Sequence, residues 1–304
     1  MKWNRREFLA TSSLALAAGA LRSVPVIGQA PAAAGAFTEL RNGVGYFLAR
    51  GATIGWAVTP DALVVVDTQF PDTAELCLRG LEQRSTRQID AVINTHHHGD
   101  HVGGNAVFQP KAAMIVSHER VPGLQRAQAE AAGAEATPQA YADTTFADRW
   151  RQSFGDVTMS AWHHGPGHTG GDAVVLFEEA NVAHLGDLGY HERHANIDPP
   201  AGASARSWVS VLEKTTAELN ADTIFLVGHA KAGLGPVMSI TDVLRFRDYL
   251  TAVLEYVERG LARGQSKAEL AALEELPRFE SFGSVPPNLT LGTFIEKVVD
   301  ELSA

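Results

Sequence analysis

Eight consecutive residues, Asn94-Thr95-His96-His97-His98-Gly99-Asp100-His101, bring four imidazoles and a carboxylate into one short stretch. They follow Ile89–Asn94, an apolar run of strand length, where a loop leaving a sheet holds side chains rigidly while exposing them. His96 and His98 are two apart, so on an extended segment they share a face, and Asp100 continues the alternation. His101 turns the other way as the chain enters a helix. Zinc prefers imidazole nitrogen and carboxylate oxygen, and four such groups this close suit two adjacent ions. His97 breaks the alternation and reads as a bystander. Taken alone, the stretch also fits a histidine-rich surface loop that binds metal adventitiously.

Three further segments count against that bland alternative. Gly165-Pro166-Gly167-His168-Thr169-Gly170-Gly171-Asp172 sets a histidine in a glycine-rich turn before a strand. Val182-Ala183-His184-Leu185-Gly186-Asp187 sets an aspartate straight after a strand, and Leu226-Val227-Gly228-His229 does the same with a histidine. Each places a ligand-type residue at a strand end, beside a glycine that permits close backbone approach.

This set, in this order, resembles the metallo-β-lactamase superfamily over roughly residues 40–235. The resemblance implies an α/β fold, the αββα sandwich. It implies two Zn²⁺ ions per chain. His96, His98 and His168 would hold the first ion, Asp100, His101 and His229 the second, and Asp187 would bridge them. Asp67, in Val64-Val65-Val66-Asp67-Thr68, would hold the loop without touching metal. A hydroxide between the ions would attack a substrate carbonyl, with Asp100 as the catalytic proton shuttle. Asp187 stands where the best-known β-lactamases of this fold carry cysteine, and the lysine that grips a β-lactam carboxylate has no counterpart in Asp187-Leu188-Gly189-Tyr190-His191. The ligand pattern is therefore closer to glyoxalase II and lactonases. Tyr190 and His191 follow closely enough to line a substrate cleft. His163, His164, His184 and His194 read as structural, because the ligand places are filled. Tyr46 and Trp56 fit either core or a flap over the zincs. No Gly-x-Ser-x-Gly elbow occurs.

The elements that must position these groups are legible in outline. Val44–Ala49, Thr53–Val58 and Leu63–Val66 read as strands separated by turn signals. Thr73–Gln83 has helical spacing, 102–108 and 118–132 read as helical, and Ala112–Val116 reads as a strand. A second half repeats the scheme with Val157–Trp162, Ala173–Phe177 and Val182–Leu185, a helix around Arg206–Leu219, and Thr223–Val227. Residues 31–42 look like a flexible lead-in, and the alanine-rich 126–145 like a connection over a cleft. The domain expectation is a catalytic domain over 37–239 and a C-terminal helical extension over 240–304.

Residues 1–30 stand apart. Asn4-Arg5-Arg6-Glu7-Phe8-Leu9, an apolar run from Leu14 to Leu21, and Gly28-Gln29-Ala30 resemble a twin-arginine export signal cleaved near Ala30. The expected location is the periplasm, without a stable membrane anchor, since the apolar run is too short to span a bilayer. Over 304 residues the formal charge is −10, and without residues 1–30 it nears −13. Such a surface repels phosphate backbones and argues against a nucleic-acid partner. The single cysteine, Cys77, excludes an internal disulfide and reads as core. The expected substrate is a small cyclic amide or ester, a β-lactam or a lactone. Alternatives are a mono-iron sulfur dioxygenase of the same fold, using two histidines and one aspartate, and a glyoxalase II-like thioesterase.

Overall fold

The computed structural model describes residues 35–133, 139–284 and 289–303, so the expected export signal lies outside the described residues. The first sheet contains β1 (Ala36–Arg41), β2 (Val44–Ala49), β3 (Ala52–Val58), β4 (Leu63–Val66), β5 (Ala91–Asn94), β6 (Ile115–His118) and β7 (Thr144–Phe146), in chain order. It begins as an antiparallel meander and becomes parallel from β4 onward. The second sheet is built from β8 (Arg149–Phe154), β9 (Val157–Trp162), β10 (Val174–Phe177), β11 (Val182–His184), β13 (Ile224–Leu226) and β15 (Val237–Met238), with β13 inserted parallel to β11. A two-residue ladder pairs β12 (Tyr190–His191) with β14 (His229–Ala230).

Period-two alternation explains how the sheets find their partners. In β4, Val64 and Val66 face the second sheet and meet Met159, Ala161, Val175 and Phe177, while Leu63 and Val65 face the other way. That outer face is covered by α1 (Pro71–Glu82) and by α3 (Asn105–Phe108), which follows the single turn α2 (Gly99–Val102); Cys77 is fully buried there. The outer face of the second sheet is covered by α5 (Ala205–Glu218), α6 (Ile240–Ala262) and α8 (Leu291–Ser303), through Trp208, Phe246, Leu250, Phe294 and Val298. The layers run helix, sheet, sheet, helix. The helices after Ile240 share one core with α5 and the second sheet. The remaining helices are α4 (Val121–Ala132) and α7 (Lys267–Ala271).

Several boundaries differ from expectation. The lead-in contains β1, an exposed edge strand whose mixed pattern carries little hydrophobic signal. The segment 126–145 contains the exposed second half of α4 and the start of β7, while 134–138 lie outside the described residues. His118 closes β6 and does not begin a helix. Trp56 is buried core and Tyr46 packs against core, so neither forms a flap. Among the described residues, no helix is long and apolar enough to cross a membrane.

Candidate metal centre

The candidate residues follow the carboxyl ends of β4, β5, β11 and β13, apart from His168, which lies in the loop between β9 and β10. Asp67 terminates β4 at φ 63°, a left-handed conformation that aspartate tolerates better than most residues. Its carboxylate accepts from the Thr95 amide at 2.8 Å and the Thr95 hydroxyl at 2.7 Å. The loop after β5 is thereby clamped at its start. The amide of Ala173 donates to the Thr95 carbonyl at 2.8 Å and ties that loop to the second sheet. Glycine is required at 228, where a Cβ would run into Asp187 Oδ1, and Gly186 turns the chain at φ 52° hard against Thr95.

Five histidines each commit one ring nitrogen outward and turn the other inward. His96 Nδ1 lies 3.1 Å from Thr95 Oγ1, and His98 Nε2 lies 2.9 Å from Asp198 Oδ2. His101 Nδ1 is 2.8 Å from Asp67 Oδ2, His168 Nδ1 is 2.8 Å from the Asn196 carbonyl, and His229 Nδ1 is 2.7 Å from the Gly51 carbonyl. A carbonyl only accepts, so the outer nitrogen of His168 and of His229 carries a proton; inward, His168 Nε2 lies 2.9 Å from His98 Nδ1 and His229 Nε2 lies 2.9 Å from Asp100 Oδ2. The inner atoms of His96, His98 and His168 cluster with Asp187 so that all lie within 4.8 Å of one another, and those of Asp100, His101 and His229 do the same.

Asp187 stands between the two groups. Its Oδ1 is 3.2 Å from His101 Nε2, while Oδ2 is 3.5 Å from both His168 Nε2 and His229 Nε2. Tyr190 Oη donates to Oδ2 at 2.7 Å. His96 Nε2, His101 Nε2 and Asp187 Oδ1 are buried without a hydrogen-bond partner. Orphaned polar atoms are rare in protein interiors, and here His101 Nε2 and Asp187 Oδ1 lie 3.2 Å apart, with His96 in the ligand group that Asp187 shares.

Burial holds His96 well below the usual imidazole range and His168 at about 3, despite the pull of Asp187. Burial also disfavours charge on His101, but Asp187, Asp67 and Asp100 outweigh it and move His101 well up. His229 moves up for the same reason, against Asp187 and Asp100. Asp187 and Asp100 are held well below the carboxylate range, burial being overcome by His229 and His101 around both. Burial, then Asp187, pushes the Tyr190 phenol well up, so it remains a proton donor.

His96, His98, Asp100, His101, His168, Asp187 and His229 are thus brought together, with Asp67 behind them. Tyr190 lines the cleft, yet its hydroxyl is turned to Asp187. His191 departs from expectation. Its Nδ1 bonds the Gly235 carbonyl at 2.8 Å, because alternation along β12 sends it to the opposite face from Tyr190, and it does not line the cleft. His184 is buried beneath the site, and His194 bonds Tyr249. His163 stacks on His118 and accepts no place in the centre, and His164 faces Glu218.

The residues absent from the sequence-based set hold the set from outside. Asp198 anchors His98 and stands 3.6 Å from His97 Nε2, so His97 is a neighbour of the anchor. Asp172 accepts from the Gly167 and Thr169 amides and the Thr169 hydroxyl, which shapes the loop around His168; burial raises its carboxyl to about 7. Lys297, on α8, donates to Asn196 Oδ1 at 3.1 Å and to the Ile197 carbonyl at 2.8 Å. Asp172 stands in the quoted glycine-rich motif. Asp198 and Lys297 had no local signal.

Comparison with known proteins agrees with this geometry. The sequence profile of the Metallo-beta-lactamase superfamily matches residues 49–229. A metallo-beta-lactamase type 2 of Bacillus sp. (strain 170) is 25% identical over 207 residues, 66% of this chain and 77% of its own length. A hydroxyacylglutathione hydrolase of Methylococcus capsulatus is 29% identical over 122 residues, 38% of this chain and 40% of its own. The solved structure of a metallo-beta-lactamase from Pontibacter korlensis superposes with a TM-score of 0.58 at 19% identity, covering 71% of this chain and 99% of that one. The chain belongs to the metallo-beta-lactamase superfamily of metallohydrolases.

Proposed function

We propose that this protein is an exported hydrolase that holds two zinc ions and cleaves a cyclic ester or amide, a lactone or a β-lactam. The observation that carries the reading is the shared arrangement of the five histidines, each with one nitrogen engaged outward and the other turned towards Asp187 or Asp100. That donor set is all imidazole nitrogen and carboxylate oxygen, and three of its buried inner atoms, His96 Nε2, His101 Nε2 and Asp187 Oδ1, lack hydrogen-bond partners, which fits zinc. His96, His98 and His168 would hold one ion, Asp100, His101 and His229 the other, and Asp187 would bridge.

Zinc in such a site supplies Lewis acidity and makes hydroxide available near neutral pH. The chain's own groups do the rest. Asp100 is the candidate proton carrier: Oδ2 lies 2.9 Å from His229 Nε2 and its side chain keeps 26% exposure to the cleft. It takes a proton as the carbonyl carbon is attacked and returns it to the leaving oxygen or nitrogen as that bond breaks. Tyr190 keeps Asp187 oriented through the 2.7 Å hydrogen bond. The cleft, about 390 Å³, suits a small molecule. A screen of zinc-loaded protein against lactones, β-lactams, thioesters and phosphodiesters tests the reading; cleavage of lactone or β-lactam supports it, and activity confined to the last two classes removes it.

Zinc uptake is expected to release protons. His101 and His229 have raised pKa values in the metal-free protein, so they hold protons that binding must displace. Apparent affinity should strengthen with pH by about tenfold per unit for each proton displaced, until the raised pKa is passed. Calorimetry in buffers of different ionisation enthalpy checks this, and proton-neutral binding from about pH 6 to 8 would count against it.

Lys297→Met should weaken metal binding from a distance, because the Asn196–Asp198 segment that Lys297 braces supports both His168 and His98. A loss of about 10-fold in zinc affinity is expected, read by chelator competition, with secondary structure retained in circular dichroism. Export is proposed from Arg5-Arg6 and the apolar run behind them. Replacing both arginines with lysine should leave the protein in the cytoplasmic fraction.

A further inference from the structure

His97 breaks the alternation of the ligand loop, yet its ring is buried against that of His98. Its Nδ1 has no hydrogen-bond partner, and its Nε2 faces Asp198 Oδ2 at 3.6 Å. The same oxygen lies 2.9 Å from His98 Nε2. One ligand atom from each of His97, His98 and Asp198 lies within 4.8 Å of the others, a third group able to enclose a cation. Zinc bonds of about 2.0–2.1 Å in a tetrahedron set neighbouring ligand atoms roughly 3.3 Å apart. The two distances to Asp198 bracket that spacing. The group is held in place: the Asp198 amide donates to the His168 carbonyl at 3.0 Å, and His97 belongs to the loop that Asp67 clamps. The side chain of Asp198 is 25% exposed, that of His98 15% and that of His97 4%, so the carboxylate side is open to water. Neither His97 nor Asp198 lines the substrate cleft.

His98 belongs both to this outer group and to the first ligand group of the centre. Its Nε2 faces Asp198, and its Nδ1 lies 2.9 Å from His168 Nε2. A neutral imidazole offers one lone pair, so His98 serves an ion on one side or on the other, never on both. Each arrangement satisfies the remaining nitrogen. With an ion at Nε2, the Nδ1 proton is donated to His168; with an ion at Nδ1, the Nε2 proton is donated to Asp198. Within the first ligand group His96, His168 and Asp187 are buried, which makes His98 its most exposed member. We propose that His97, His98 Nε2 and Asp198 form an outer site for a divalent cation, filled while the first ligand group is empty, and that His98 passes the ion inward as its proton moves from Nδ1 to Nε2. The destination of the ion rests on the two-zinc reading, while the outer site itself stands on His97 and Asp198.

The test mixes full-chain protein, stripped of metal by a chelator, with zinc chloride in a stopped-flow instrument and follows loading with a fluorescent zinc indicator. Below saturation of the outer site, the loading rate follows the affinity of that site. His97→Phe keeps a flat ring without the nitrogens, and losing one of the three ligands should slow loading by about 10-fold. Zinc content and affinity at equilibrium, read by elemental analysis and chelator competition, should stay at wild-type values. An unchanged loading rate would overturn the proposal. So would an equal loss of equilibrium affinity, which marks a residue that only supports the centre. Should His97→Phe not fold, wild type decides: capture before transfer gives a loading rate that levels off as zinc is raised, and a rate that stays linear overturns the outer site. If fully loaded wild type holds fewer than about two zinc ions, the dinuclear reading fails on its own account. Slower loading of His97→Phe then still supports the outer site, and equal loading sinks it.

Discussion

Asp187→Ala is expected to lower zinc content from about two ions to one or fewer per chain and to reduce kcat/KM by about 10³ or more. The reason is positional. Among the described residues, Asp187 is the only carboxylate whose two oxygens face both ligand groups, at 3.2 Å from His101 and 3.5 Å from His168 and His229. Alanine removes the anion that would separate two cations and leaves the Tyr190 hydroxyl, now without its acceptor, in a buried site. Asp187→Asn keeps the volume but not the charge, and should fall between. Elemental analysis beside initial rates checks this, and a variant retaining both ions and full rate would show that Asp187 bridges nothing.

Asp100→Ala is expected to lower kcat by about 10² to 10⁴ while costing less metal than Asp187→Ala. Asp100 touches one group only, through His229 at 2.9 Å and His101 at 3.9 Å, and it alone of the two carboxylates keeps appreciable exposure to the cleft. Its pKa is held well below normal by His101 and His229 against the effect of burial. It is therefore ionised throughout the neutral range. Single-turnover rates normalised to bound metal separate the proton role from the ligand role. Unchanged turnover with every substrate tried would remove the hydrolytic reading.

What the sequence exposed and what it hid divide along one physical line. His96, His98, Asp100 and His101 were legible because period-two alternation is a local property of an extended chain. Asp187 and His229 were legible because each lies beside a glycine at a strand end, and His168 because it stands in a glycine-rich loop; Gly228 shows why glycine matters, since a Cβ there would collide with Asp187. The inner strands β4 and β5 were legible as uninterrupted apolar runs. The outer support was not. Asp198 lies 100 positions from His98 and Lys297 lies 101 from Asn196, and only tertiary packing joins them. Edge strand β1 escaped because its exposed faces carry polar residues. His191 was misplaced for a smaller reason, since nearness to Asp187 in sequence says nothing about which face of β12 it takes.

The support from α8 also changes how the C-terminal helices should be regarded. The superfamily profile ends at residue 229, yet Lys297 and Glu301 reach back to 196–197 and to the start of α5, where Glu301 accepts from Ser204 Oγ at 2.7 Å. The helical layer is continuous with the rim that carries the candidate centre.

All of this turns on whether seven side chains hold a dinuclear zinc centre. The direct measurement is the elemental content of full-length protein purified without added metal, with oxygen uptake followed in parallel. About two zinc atoms per chain and no oxygen consumption is the expected result. A single iron per chain, with oxygen consumed during turnover, would contradict it.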